Sequence, residues 1–229
     1  MKVHRRYGLI SGESQSSLKS EAQLKVKMKI TKEQQQIIIG LLLGDGYLES
    51  QNKGRTYRLG IIHSIKQKEY VEWLYQKLKN WCTSGVKIWE RRDGKKFVGF
   101  RTVSSGSFRF YAHQFYDKNT NQKKVPKLIH KWLTPLAMAI WFMDDGSMKS
   151  KNHKTYLFHT DGFKREDVLK LQEALWRNYQ IKTAIHKQRR KGKIYYRLYI
   201  LSESAEKFKK LIEPFIHSSM KYKLSNTYA

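Results

Sequence analysis

One order of helix-like and strand-like segments occurs twice in this chain, and this repetition limits the possible folds more than any other sequence feature. In residues 31–117 the hydrophobic patterns predict a helix, two strands, a helix, two strands and a helix. Residues 134–229 give the same order. Because independent patterns agree twice, we predict an α+β fold of two pseudo-symmetric α-β-β-α-β-β-α repeats. Residues 118–133 would join the repeats, and residues 1–30 would form a basic leader.

The individual elements follow from capping residues, turn residues and apolar spacing. Thr31 and Gln34 form a capping-box pattern before an apolar helix that should end near Gly44. Glycine-containing turns predict two hairpins in the first repeat, and apolar residues at helical spacing predict two more helices. The further segments predicted are hairpins in 47–63 and 86–103 and helices in 68–81 and 108–115, then helices in 136–144, 164–179 and 205–216, a hairpin in 147–159, and strands 183–188 and 193–201.

The central helix of each repeat ends in an acidic residue followed by glycine. The two segments are Ile38-Ile-Gly-Leu-Leu-Leu-Gly-Asp45-Gly46 and Met138-Ala-Ile-Trp-Phe-Met-Asp-Asp145-Gly146. A carboxylate at a helix C-terminus faces the negative end of the helix dipole, so it destabilises the helix unless a cation compensates. If the two helices pack side by side, Asp45 and Asp145 meet and can hold a divalent cation.

Magnesium is the ion that this donor set favours, with manganese as a possible substitute, because carboxylates and free backbone carbonyls are hard oxygen ligands. The carbonyls of Gly44 and Asp144 are candidates for additional ligands. A single Asp-Gly pair would be interpreted as a simple turn after a buried helix. Two pairs at matching repeat positions favour the metal site. Asp144 competes with Asp145 for the acidic position, and alignment on the following glycine selects Asp145.

The charge balance indicates a polyanionic partner. Lysine and arginine number 46 against 19 acidic residues, which gives a formal net charge of +27. Aromatic residues are interspersed with the basic ones, a pattern that favours a structured nucleic-acid surface. No apolar run reaches the roughly 18 residues of a membrane span, so we expect no membrane partner. The one cysteine excludes an intrachain disulfide, and no phosphate-binding P-loop motif is present.

The paired motifs resemble those of the LAGLIDADG homing endonucleases, in the type that carries two motifs on one chain. The resemblance covers residues 31–224, and its distinctive matches are Trp141-Phe-Met-Asp-Asp-Gly146, Leu133-Thr-Pro135 and Tyr222-Lys-Leu224. It implies a monomer whose two four-stranded sheets form a saddle over double-stranded DNA. The paired acids would lie under the minor groove, where each strand is cut to leave short 3′ extensions, and the cut would promote intron homing.

The same resemblance assigns further residues. The family's helix-packing glycines correspond to Gly40 and Gly44 in the first motif, whereas Ile140 and Asp144 stand at those positions in the second. Its lysines near the metal correspond to Lys123 and Lys223, which would act on water or on charge in the transition state. Lys124 is an alternative to Lys123, and any lysine in so basic a chain can also be a solvated or phosphate-contacting charge.

The hairpins would contact DNA, because a sheet in the major groove presents alternate side chains to base edges. Each candidate is explained about equally well as a base-reading side chain or as a solvated surface charge. In the first repeat the candidates are Lys53, Arg55, Tyr57, Arg58, Lys87, Trp89, Arg91, Arg92, Lys95, Lys96 and Arg101. In the second repeat they are Lys149, Lys151, Lys154, His186, Gln188, Arg189, Arg190, Lys193, Tyr195 and Arg197.

We interpret two histidines and five tryptophans mainly as structural residues. His63 and His159 stand at related hairpin ends, where we expect structural or DNA-adjacent roles, since no histidine spacing forms a metal site. Five tryptophans are expected in the core instead of in stacking platforms, namely Trp73, Trp81, Trp132, Trp141 and Trp176.

Two rival functions share these features. An intron RNA maturase of the same fold would bind RNA and assist splicing, with or without DNA cleavage, and retention of both acids argues against loss of cleavage. A transcription factor on this scaffold would also be basic but would not need acids at both helix ends. The basic, serine-containing start leaves a mitochondrial or chloroplast location open.

Overall fold

A computed structural model describes residues 29–149 and 155–225 and contains two four-stranded antiparallel sheets with helices packed against them. The first half comprises α1 (Lys32–Leu43), β1 (Tyr47–Gln51), β2 (Thr56–Ser64), α2 (Lys68–Leu78), β3 (Lys87–Glu90), β4 (Lys96–Arg101) and α3 (Arg109–Phe115). The second half comprises α4 (Ile129–Trp132), α5 (Pro135–Asp145), β5 (Gly146–Met148), β6 (Tyr156–Phe158), α6 (Arg165–Tyr179), β7 (Thr183–Arg190), β8 (Lys193–Ile200) and α7 (Ser202–Ile212).

The two central helices begin at side-chain caps that the sequence contains. The Thr31 hydroxyl accepts a hydrogen bond from the Gln34 amide, and the Gln34 side chain accepts one from the Thr31 amide, which completes the predicted capping box. Thr134 caps α5 in the same way by accepting from the Ala137 amide. Pro135 occupies the first helical position, where a missing amide hydrogen has no cost.

Helices α1 and α5 pack closely because small residues on one helix face larger residues on the other. A Cβ atom on Gly40 would lie 2.6 Å from the Cβ atom of Ile140, and one on Gly44 would lie 2.5 Å from that of Asp144. Real Cβ atoms do not approach this closely, so this packing requires glycine both within α1 and at its C-cap. The larger residues of the second motif therefore fit against the glycines of the first.

The two sheets have the same topology. Their strand orders are β1-β2-β4-β3 and β5-β6-β8-β7, which match position for position. In each sheet one face lies against the helices. Alternate strand residues on that face are therefore buried, such as Leu59, Ile61, Leu198 and Ile200. The other face, which we call the open face, carries the intervening residues. The predicted α+β fold of two equivalent repeats is thereby confirmed.

One continuous hydrophobic core contains residues from both halves. Trp81 and Trp141 are fully buried, as expected, and the Trp141 ring stacks on Phe158 at a centroid distance of 3.7 Å. Trp73 and Trp132 are only partly buried at the edge of this core. The core assignment of Trp176 is wrong, since 46% of this residue is exposed on α6. Its position at the outer side of an amphipathic helix explains the difference.

Some predicted elements differ in extent or cannot be compared. The last helix ends at Ile212, and Glu213–Phe215 continues as a short 3-10 turn around a proline. The turn of the hairpin expected in 147–159 and most of the expected leader lie outside the described residues. None of the helices within the described ranges has the length and apolar character that crossing a membrane requires.

Candidate active site and nucleic-acid surface

Asp45 and Asp145 lie at the adjoining C-terminal ends of α1 and α5. Asp45 immediately follows Gly44, which caps α1, and Asp145 is the last residue of α5. The Asp45 side chain is exposed, and Asp145 is partly buried. The two helix ends are in direct contact, since the Asp45 amide donates a 3.0 Å hydrogen bond to Asp144 Oδ2. The structure therefore brings together the two helix ends that carry the predicted acids.

The crowding of acids changes the affinity of Asp145 for protons. Burial raises the pKa of Asp145 to about 8, and the negative charges of Asp45 and Asp144 add to this effect. Lys123 and Lys223 oppose the rise in pKa. A carboxylate held among other carboxylates gains from a nearby cation, so the site has the electrostatic character of a cation site.

Asp144 has a different environment from either neighbouring acid. Its side chain is fully buried, and its Oδ1 accepts a 2.8 Å hydrogen bond from the Tyr70 hydroxyl. Burial raises the pKa of Asp144 to about 7, with a further contribution from the charge of Asp45. The Asp144 side chain therefore joins the two helix ends instead of facing solvent.

The two predicted lysines enter the site at equivalent positions. Lys123 Nζ donates a 2.6 Å hydrogen bond to the carbonyl of Gly44, and Lys223 Nζ donates a 2.8 Å hydrogen bond to the carbonyl of Asp144. These carbonyls belong to the residues that precede Asp45 and Asp145. Burial lowers the pKa of each lysine, and the aspartates oppose this effect. The contact of Lys123 with Gly44 selects it over Lys124.

His63 and Tyr70 are site residues that the sequence analysis did not assign. His63 Nδ1 lies 3.6 Å from Asp45 Oδ2, and His63 Nε2 lies 3.6 Å from Asp144 Oδ1. The ring is buried, and burial lowers its pKa. A signal was available in the sequence, because His63 continues the buried alternation of Leu59 and Ile61 and is the polar residue in that series.

The expected equivalence of His63 and His159 is wrong. Gly60 pairs with Tyr47 in the first sheet, and Leu157 pairs with Ser147 in the second. Tyr47 and Ser147 each follow an Asp-Gly pair, so their partners Gly60 and Leu157 are equivalent. Three residues further along each strand, the residue equivalent to His63 is Thr160, not His159. His159 is instead on the open face, where its Nε2 lies 3.0 Å from the Ser147 hydroxyl.

The donor set fits a divalent cation that is shared with a ligand. Across residues 29–149 and 155–225, no three His, Cys, Asp or Glu side chains converge to hold a metal ion without other donors. Asp45 and Asp145 supply hard anionic oxygens, and the remaining coordination positions of Mg²⁺ are commonly filled by water and phosphate oxygens. The carbonyls of Gly44 and Asp144, predicted as additional ligands, accept hydrogen bonds from the lysines.

The open face of the first sheet carries many of the predicted DNA contacts. Arg58 and Arg101 face outward beside Glu49, and Arg58 forms a bidentate ion pair with its carboxylate at 2.7 and 2.8 Å. Trp89 stacks near Phe97 at a centroid distance of 6.2 Å, and Lys87 shares their face. Arg91 extends over the Phe97 ring. The turns carry Lys53, Arg55, Arg92 and Lys95.

The second sheet presents a similar mixture of aromatic and basic side chains. His186 stacks on Tyr199 at a centroid distance of 4.2 Å, and Lys149 lies over the same ring. Arg190 lies over Tyr195. Arg197 forms a bidentate ion pair with Asp161, so part of its hydrogen-bonding capacity is already used. The strand register places three more predicted contacts on this face, namely Gln188, Lys193 and Tyr195.

Three predicted DNA contacts lie on the helix-facing side of their strands, not on the open face. Tyr57 alternates with the open-face residue Arg58 and packs against the core. Lys96 pairs with Glu90 on the side opposite to Arg101, and Arg189 pairs with Ile194 on the side opposite to Arg190. The period of two along a strand gives the physical reason for these corrections. Lys151 and Lys154 lie outside the described residues.

Comparison with protein-family models matches residues 35–208 to the LAGLIDADG DNA endonuclease family. The chain belongs to this family. The match includes both acid-bearing helix ends and all eight strands of the two sheets. Membership confirms the fold and the function class inferred from the sequence, a DNA-cleaving hydrolase of the homing endonuclease type.

Individual relatives extend over nearly the whole chain. DNA endonuclease I-ChuI of Chlamydomonas applanata is 33% identical over 213 residues, which cover 87% of this chain and 97% of that protein. Cytochrome b mRNA maturase bI2 of Saccharomyces cerevisiae is 34% identical over 201 residues, which cover 83% of this chain but 47% of the maturase. This family member therefore spans about half the length of that relative.

The solved structure of the homing endonuclease I-WcaI bound to its DNA recognition sequence has the same fold. The two chains superpose with a TM-score of 0.79 at 26% identity, and the match covers 94% of this chain and 95% of the other. The N-terminal LAGLIDADG domain of DUF199/WhiA, at 16% identity and a TM-score of 0.50, shares the fold.

Proposed function

We propose that this LAGLIDADG endonuclease acts as a monomer that cuts both strands of a long, asymmetric DNA site, with Asp45 and Asp145 holding the catalytic divalent ion. The observation that carries the proposal is the meeting of two acid-bearing helix ends, each backed by a buried lysine. The unlike open faces of the two halves support an asymmetric site, because each half presents a different set of side chains.

Each group at this site has a definable chemical role. When bound, a divalent ion would neutralise charge on the phosphate and activate the attacking water. Asp45 and Asp145 provide its anionic ligands. Lys123 and Lys223 hold the adjacent carbonyls and offset negative charge, since both are buried beside the aspartates. We propose Mg²⁺ as the ion, with Mn²⁺ as a substitute, because the donors are hard oxygens.

The open faces would bind double-stranded DNA, as the I-WcaI relative binds its recognition sequence. Their aromatic residues support basic side chains on the same face, as Tyr199 supports Lys149 and Tyr195 supports Arg190. Phosphate contacts would set the register and base-edge contacts would set the sequence. We propose cleavage that leaves short 3′ extensions and promotes homing of an intron.

A second candidate function is assistance of intron RNA splicing. The specific observation in its favour is the 34% identity to cytochrome b mRNA maturase bI2. Retention of Asp45 and Asp145 favours DNA cleavage as the principal activity, because RNA binding alone does not need paired acids. A mitochondrial or chloroplast location is supported by the cytochrome b mRNA maturase and by a further relative of Oryza sativa subsp. japonica, the chloroplastic pentatricopeptide repeat-containing protein OTP51, which is 30% identical over 198 residues.

Substitution of the two acids tests the proposal. The protein would be incubated with a library of duplex sites and Mg²⁺, and sequencing of the cut ends would identify the site. We expect Asp45→Asn and Asp145→Asn each to abolish double-strand cleavage while DNA binding persists, because Asn keeps the size of Asp but removes an anionic ligand. Asp144→Asn serves as a comparison and should have a smaller effect.

A small effect of the two main substitutions would disprove the assignment. If either variant cuts within about tenfold of the parent, the lost ligand is worth only ~1.4 kcal/mol of barrier and the active site lies elsewhere. Sedimentation of the complex tests the monomer, since an obligate ratio of two proteins per duplex would contradict it.

A further inference from the structure

The two halves of the active site differ at two positions that contact each other. Gly44 precedes the acid of the first half, and Asp144 precedes the acid of the second. The strand registers place His63 of the first half at the position that Thr160 occupies in the second. His63 and Asp144 are therefore both without a counterpart, and their side chains lie 3.6 Å apart.

These residues belong to a buried polar network that ends at Asp45. Asp144 Oδ1 accepts a hydrogen bond from the Tyr70 hydroxyl, and Asp144 Oδ2 accepts one from the Asp45 amide. The His63 ring is held by Gln67 Oε1 at 3.0 Å and faces the Asp45 carboxylate. The Asp45 amide is therefore hydrogen-bonded to a carboxylate that is itself held, and the Asp45 carboxylate lies 3.6 Å from a held imidazole without a hydrogen bond between them.

Asp145 lacks the equivalent support. Its backbone carbonyl accepts a 2.9 Å hydrogen bond from the His159 amide, as expected for the strand that follows. The residue that precedes Asp45 is glycine, so the first motif has no side chain corresponding to Asp144 that could accept a hydrogen bond from the Asp145 amide. Thr160, at the position matching His63, directs its hydroxyl to the Tyr196 carbonyl instead, at 2.6 Å.

We propose that His63, Tyr70 and Asp144 form a positioning network that orients Asp45 but not Asp145, so that the two DNA strands depend on it unequally. A metal-binding side chain that is already held in the productive geometry needs no search among its rotamers, whereas an unheld side chain must make that search. If Asp45 serves mainly the scissile phosphate of one strand, loss of the network should slow cleavage of that strand more than cleavage of the other, although both acids contribute to the metal site. The inference rests on the proposed function of the two aspartates.

The test measures each strand separately under single-turnover conditions. The selected duplex would be labelled on both strands and cut with Mg²⁺ by the parent and by Tyr70→Phe, which removes the hydroxyl but keeps the ring. We expect the rate for one strand to fall about tenfold and nicked duplex to accumulate, while the other strand changes less than about twofold and binding is unchanged.

Further variants separate positioning from folding. His63→Leu should slow the same strand as Tyr70→Phe, and His63→Gln, which retains a hydrogen-bonding group, should restore part of the rate. Thr160→Val in the other half is the matched control and should leave the ratio of strand rates unchanged. Melting temperatures of all variants would identify any that lose activity by unfolding.

The outcomes distinguish this inference from the proposed function. If the parent cuts both strands and Asp45→Asn does not, the proposed function stands. The positioning network is then overturned if Tyr70→Phe and His63→Leu preserve the parental ratio of strand rates or slow both strands equally. If Asp45→Asn cuts like the parent, the function assigned to the acids fails first.

Discussion

Gly44 lies directly against Asp144, so that a Cβ atom on Gly44 would stand 2.5 Å from the Asp144 Cβ and carboxylate. Gly44→Ala should therefore force the two helix ends apart and displace the hydrogen bond between Asp144 and the Asp45 amide. We expect a loss of about 1–3 kcal/mol in the free energy of unfolding, the usual cost of overpacking.

Denaturant titration measures this loss. Gly162→Ala is the matched control, because nothing lies within 4 Å of a Cβ atom at that position. Equal stabilities for the two variants would show that the helix ends separate easily.

The buried lysines should matter more for cleavage than for binding. Lys123→Met and Lys223→Met keep much of the apolar chain but remove the donor to the Gly44 and Asp144 carbonyls. We expect cleavage to slow by about tenfold or more at saturating protein, with DNA affinity within a few-fold of the parent.

Single-turnover rates and equilibrium binding would separate the two effects, and Lys124→Met provides the neighbouring control. Parallel losses in rate and affinity would reassign the lysines to simple DNA attraction.

We expect the face of a strand to decide which of two neighbouring arginines contacts DNA. Arg190 lies on the open face and Arg189 on the opposite one, although they are adjacent in the sequence. We expect Arg190→Gln to reduce the slope of log affinity against log salt by about 0.9, the contribution of one phosphate contact.

The Arg189→Gln slope should remain near that of the parent. Titrations over several salt concentrations would detect the difference. A larger change for Arg189→Gln would mean that DNA reaches around the tip of this hairpin.

The lone thiol should be slow to react in the folded protein. Burial raises the pKa of Cys82 to about 11, so the reactive thiolate is scarce at pH 8. We expect alkylation by iodoacetamide to be roughly two orders of magnitude slower than in the denatured chain, and to accelerate as the pH approaches the folded pKa. Mass spectrometry at several pH values measures the rates. Fast native alkylation at pH 8 would show that this edge of the core opens.

The sequence was informative wherever a local pattern determines the structure. The capping box at Thr31, the turn at Lys53 and the alternation in the strands are short-range properties, and each predicted element follows from them. The acids could also be assigned, because the repeat places Asp45 and Asp145 at equivalent helix ends. Lys123 and Lys223 were assigned through resemblance to a family, since no local pattern connects them to the site.

The remaining features depend on contacts between residues distant in the chain. Asp144 meets Tyr70 and the Asp45 amide across separations of 74 and 99 positions, which no periodicity encodes. Similarly, composition identified Tyr57 as a DNA contact, but the register of its strand turns it toward the core. A basic or aromatic residue near a hairpin turn indicates a partner, whereas its face must come from the sheet.

The matching of Gly40 with Ile140 and of Gly44 with Asp144 has a consequence for assembly. Two copies of the first half would place glycine against glycine at both contacts and would lose the contacts that Ile140 and Asp144 provide. Two copies of the second half would oppose Ile140 to Ile140 and one buried carboxylate to another, at distances that exclude both pairs. At the helix separation of this structure, we therefore expect two unlike halves to pack together better than two copies of either half.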